Sequence, residues 1–133
     1  MPPVPRQRDC LGLGQGALLQ VGGPGGCVTE NASGGSCLPG DGLVGASSVA
    51  VSPDGRRVYT AAFHTLRGGL AEFSRATISG ALTETGCVAT GVRRCQPARA
   101  TKGAHGVAVS PDGRSVYVAA QAASGGGVAV FRR

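Results

Sequence analysis

Cysteines, histidines and a run of cations are the residues of this chain whose types and spacing could do chemistry. Cys27 and Cys37 sit in one long connection, and Cys87 and Cys95 occupy the matching place in a second. That repetition makes pairing within each connection the economical reading. Closing loops of about ten residues in this way stabilises a fold by roughly 2.5–3 kcal/mol on the chain-entropy model. Zinc is the competing reading, disfavoured because no Cys-x-x-Cys occurs and both histidines lie elsewhere in the pattern. Cys10 is left over. Two local disulfides imply an oxidising compartment and so an extracytoplasmic or secreted protein, although the opening MPPVPRQRDC lacks the apolar core of a signal peptide. A reducing cytoplasm with four free thiols is the alternative.

The second connection also concentrates positive charge. Arg93, Arg94, Arg99 and Lys102 lead to His105, and no acid occurs from Gly86 to Gly106. The first copy has Ser47 where the second has His105. Functionally this is a candidate anion-binding rim for an acidic polysaccharide or a protein; the plainer reading is a solvated loop. The net charge of +6 fits an anionic partner, but no aromatic residues are interleaved with the cations, which argues against nucleic acid. His64, matched by Ala122, reads as surface decoration. The stretch GLGQGA at 12–17 satisfies a loose dinucleotide pattern but lacks a preceding strand and a following helix. Asn31-Ala32-Ser33 is a formal glycosylation sequon. No catalytic motif, metal set or cofactor is assigned, and no apolar run is long enough to span a membrane.

The elements that must hold these residues are written twice. VAVSPDGRRVYTAA at 49–62 and VAVSPDGRSVYVAA at 107–120 differ at two positions of fourteen. Each is a hairpin signal. Pro53 and Pro111 pre-set φ, Asp54 and Asp112 tolerate the next turn position, and Gly55 and Gly113 can take the left-handed conformation. A third run recurs at 70–75 and 128–133, and a fourth, GALLQ at 16–20, matches GALTE at 80–84. No helical apolar stripe persists. Four strands at this period predict an all-β protein of β-propeller blades, each a four-stranded antiparallel sheet packing on the next. The expected organisation is an N-terminal extension over 1–15 and two repeats over 16–133.

The hairpins resemble the YVTN-type repeats of bacterial surface proteins and lactonase-like propellers, in which a Val-Ala-Val-Ser-Pro-Asp-Gly turn precedes a Tyr-Val strand. Here the naming tetrapeptide reads Tyr59-Thr60-Ala61-Ala62 and Tyr117-Val118-Ala119-Ala120. The resemblance implies that Val-Ala-Val strands are innermost, that Gly-Ala-Leu strands are outermost, and that His105 lies near one mouth of the channel. The order becomes an orphan outer strand, three strands, an outer strand, then three strands. Two blades cannot close a ring, so the chain is either a partial propeller or a ring completed by oligomerisation. Residues 6–9, RQRD, resemble the end of a preceding third strand. Glu72, where the other copy has Val130, suggests a degenerate or exposed face on the first blade. Two functions follow: a non-enzymatic binding or structural module using its variable disulfide-pinned loops, or, by family resemblance alone, a lactonase-like hydrolase.

Overall fold

The computed structural model describes residues 18–64, 68–121 and 126–133. Two strand-turn-strand units dominate it, and their turns explain themselves atom by atom. In the first, Ala46–Val51 (β3) returns as Arg57–Phe63 (β4). The Gly55 N–H donates to the Ser52 carbonyl at 2.9 Å, with Gly55 at φ +74°. The Ser52 hydroxyl donates to Asp54 Oδ1 at 2.6 Å and accepts from the Arg57 N–H at 3.0 Å, while Asp54 also accepts from the Arg56 N–H at 2.9 Å. The second unit, Ala104–Val109 (β8) and Ser115–Ala120 (β9), repeats every bond through Ser110, Asp112 and Gly113. These side-chain bonds satisfy the turn's backbone donors locally, so the turn itself sets the hairpin register.

Each hairpin extends into a twisted antiparallel sheet. In the first, Gly68–Arg75 (β5) pairs β4 and Leu82–Thr90 (β6) pairs β5, with Gln96–Pro97 (β7) added in parallel at the edge. In the second, Gly127–Arg132 (β10) pairs β9 and has no strand on its other edge among the described residues, giving the order β10-β9-β8. A two-stranded parallel ladder of Val28–Thr29 (β1) and Leu38–Pro39 (β2) precedes them. The remaining regular structure among the described residues is two 3-10 turns at Pro24–Gly26 and Ala32–Gly35. The sheets do not close on themselves; the architecture is all-β.

The two large sheets pack face to face. Tyr59, Ala61 and Leu70 from the first meet Ala104, Val116, Val118 and Ala129 from the second, with Val107, Val109 and Phe131 completing the layer. The far face of the first sheet, Val58, Ala71 and Phe73, is covered by its own Leu82 and Cys87 and by Val28 and Leu43 from the first long loop. Residues one apart on a strand point to opposite faces, so the repeat buries Val58 on one side and Tyr59 on the other.

Three expectations change. The two large sheets have five and three strands rather than four, β7 being added in parallel to the first while no fourth strand joins the second among the described residues. The outer strand expected over 16–20 is not formed at Leu18–Gln20, which are coil; Gly16 and Ala17 lie outside the described residues, as do Cys10, RQRD and GLGQGA. A strand needs a ladder partner, and among the described residues none runs beside this segment. Its counterpart in the first sheet begins at Leu82 rather than Gly80 and runs through the first cysteine of its loop to Thr90. Glu72 does not mark a degenerate face. It sits at the seam between the sheets, 3.4 Å from Arg57 and 3.8 Å from Arg133.

Candidate binding surface

The long loops are built to one plan. Cys27 bonds to Cys37 and Cys87 to Cys95. In each, the residue after the first cysteine pairs in parallel with the residue after the second, Val28 with Leu38 and Val88 with Gln96. The disulfide therefore staples the end of one strand to the return of its own loop. Zinc is replaced as a reading by these two bonds, and among the described residues no three His, Cys, Asp or Glu side chains gather as a metal site. The disulfides are compatible with an extracytoplasmic location. Among the described residues, no helix is long and apolar enough to cross a membrane.

The loops also dock on each other, which the sequence did not disclose. Gly42 of the first lies against the second disulfide so closely that a Cβ there would stand 3.2 Å from Cys95 Sγ and 3.3 Å from Cys87 Cβ. Its neighbour Asp41 lies 3.6 Å from Arg94, and the Asp41 N–H donates to Glu84 Oε1 at 2.8 Å. Leu43 N–H donates to Glu30 Oε2 at 2.7 Å. Burial pushes the Glu84 carboxyl above its ordinary value, with the Asp41 and Glu30 charges adding to the effect against the Asp41 N–H bond. Glu84 Oε2 is buried without a hydrogen-bond partner among the described residues.

The candidate rim residues are spread over several places. Arg94 is tied to Asp41 and lines an inter-sheet cleft together with Glu72, Arg132 and Arg133. Arg99 is exposed beside Pro97, Ala98 and Ala100, facing strand β10 across a second cleft. Lys102 and His105 flank the start of β8, both exposed, and His105 Nδ1 lies 3.3 Å from the Gly103 carbonyl. Ser47 holds the equivalent place on β3, its hydroxyl 3.4 Å from the Ala61 carbonyl. Arg93 is exposed in the second loop. Asn31 of the sequon is exposed and accepts from the Ser33 N–H of its own loop at 2.9 Å. The His64 carbonyl accepts from Gly103 N–H at 3.0 Å, joining the two sheets' connections.

The inter-sheet cleft, about 560 Å³, is walled by Tyr59, Leu70, Val88, Val116 and Phe131 and rimmed by Glu72, Thr85 and three arginines. Tyr59 is almost fully buried, and among the described residues its hydroxyl has no hydrogen-bond partner. Burial, followed by the Glu72 charge, raises the phenol above its ordinary value.

No protein-family model matches the chain, and no curated protein does. Among solved structures it is similar to a Bacteroides fragilis protein assigned as a 6-phosphogluconolactonase, with 24% identity and a TM-score of 0.49. The match covers 66% of this chain and 21% of that one, so this chain spans about a fifth of its length.

Proposed function

We propose that this chain is a non-enzymatic β-propeller module, two blades that present disulfide-pinned loops to an acidic partner, an anionic polysaccharide or an acidic protein surface. The observation that carries this reading is the shared construction of the loops: two disulfides of the same design, with Gly42 of the first loop resting on the second disulfide, stiffen the variable part of each repeat. A stiff loop loses little conformational freedom on binding. Around it Arg93, Arg99 and Lys102 stay exposed, and the acid nearest the loop, Asp41, is engaged by Arg94. The turn acids a hydrolase could recruit, Asp54 and Asp112, are engaged by Ser52 and Ser110 in building the hairpins.

Titration of the non-reduced protein with dextran sulfate tests the reading. Replacing Arg99 and Lys102 together by Ala is expected to weaken binding about fivefold at low salt, as expected for two exposed charges. Unchanged affinity overturns it.

A further inference from the structure

The seam between the two sheets is a template for a contact that the molecule leaves unmade at both ends. Tyr59 and Leu70 on the first sheet are covered by the second sheet, yet their counterparts Tyr117 and Val128 are 40% and 62% exposed, and Val130 beside them is 66% exposed. On the opposite end, Val49 and Val51 are exposed, while their counterparts Val107 and Val109 pack into the seam. One end thus carries the face that the other end's face covers inside the molecule.

The strand edges repeat the relationship. In the first sheet Phe73 is closed over by β6, with Phe73 opposite Glu84, Ser74 opposite Thr83 and Arg75 opposite Leu82. In the second sheet the equivalent residues, Phe131, Arg132 and Arg133, border the open cleft. The segment equivalent to Leu82–Glu84 by sequence is Leu18–Gln20, whose two leucines are 87% and 71% exposed.

We infer that a second copy of this chain docks here, laying Leu18–Gln20 antiparallel along β10 and seating its Val49 and Val51 face on Tyr117, Val128 and Val130. Both contacts come from the same neighbour, because inside the chain β6 pairs the first sheet and then leads into the strand that packs on that sheet's face. Register places Leu18 opposite Arg133, Leu19 opposite Arg132 and Gln20 opposite Phe131. Gln20 then stands on the cleft side, bringing an amide to the cavity that Tyr59 lines. The added strand supplies backbone partners to the open edge of β10 and covers apolar surface at both ends. Such a contact is heterologous, repeating head to tail until it closes. Its test reads mass and cross-linking rather than ligand affinity, so it fails separately from the loop-binding reading, although Arg99 lines the cleft beside β10 that the docked strand would border.

Light scattering of the full, non-reduced chain is the test. A mass at an integer multiple of 13.1 kDa is expected, falling to the single-chain mass in Val130→Asp and in Leu19→Asp. Both positions are exposed within one chain, so each variant is expected to keep the wild-type circular dichroism. In a Cys10→Ser background, mixing Leu19→Cys chains with Arg132→Cys chains is expected to give an intermolecular disulfide under mild oxidation. A single-chain mass across the accessible concentration range, or an assembly that survives both aspartates and yields no cross-link, overturns the proposal.

Discussion

Arg133, on the second sheet, lies 3.8 Å from the Glu72 carboxylate on the first, which Arg57 also approaches at 3.4 Å. A single acid therefore serves one cation from its own sheet and one from its neighbour. All three side chains are about one-third exposed, so water screens the attraction and the pair's worth is that of a surface ion pair. A double-mutant cycle with Glu72→Gln and Arg133→Gln, followed by urea unfolding, should return a coupling of about 0.5 kcal/mol that shrinks as salt is added. A coupling that is absent at low salt would leave the seam to its apolar layer alone.

Backbone proximity sets a harder constraint where the sheets' connections touch. A Cβ on Gly68 would stand 2.1 Å from the Thr101 carbonyl oxygen and 2.9 Å from Lys102 Cα. Neither atom is the free end of a side chain, so the whole connection would have to shift. Gly68→Ala is expected to cost about 2–3 kcal/mol, in the range of overpacked cores. Gly86→Ala, with open space at its Cβ, is the control and should be nearly silent in the same unfolding measurement.

The two disulfides close loops of similar length, with sequence separations of 10 and 8, so chain entropy alone gives each about 2.5 kcal/mol. Packing distinguishes them. Gly42 rests on Cys87 and Cys95, and Arg94 in the same loop meets Asp41. Removing Cys87–Cys95 by paired Ala substitution should therefore lower stability more than removing Cys27–Cys37, because it also loosens the first loop. Equal losses by denaturant titration would mean that the loops do not support each other.

What was legible in the sequence was what each repeat decides locally. Pro53, Asp54 and Gly55 announce their turn because each residue type meets its own backbone demand, and the paired cysteines announce their bonds by recurring at matching places. The hydroxyls of Ser52 and Ser110 belonged to the same signal, since a serine before Pro-Asp-Gly is placed to bridge the turn. What was not legible depends on a partner elsewhere. Leu18–Gln20 carries the pattern of an outer strand but has no strand beside it, and a pattern without a ladder stays coil. Glu72 looked like a flaw in the first repeat because its interpretation required Arg133, 61 positions away in sequence, to be folded back beside it. The docking of Gly42 on a disulfide likewise follows from how two loops lie in space, and neither loop's composition signals it.

Stability should respond to pH in two opposite senses, separable by mutation. Asp54 and Asp112 are held below their ordinary value of 3.8, first by the serine hydroxyls and then by the Arg56 and Arg114 N–H groups. A depressed folded value means a contribution present above the ordinary value and lost as pH falls through the folded one, so the hairpins should weaken in strong acid. Glu84 is the reverse case, raised above 4.5 chiefly by burial. Its folded form prefers the proton, so its contribution is complete below pH 4.5 and is lost as pH rises through the folded value. Glu84→Gln keeps an oxygen to accept from the Asp41 N–H and removes the buried charge. The variant should melt above the wild type near neutral pH, with the gap closing on acidification, whereas Asp54→Asn should melt below it near neutrality and converge with it in acid. Melting curves collected from about pH 3 to about pH 7 decide between these signs; a Glu84→Gln variant that is less stable at neutral pH would show that its carboxylate is used rather than tolerated.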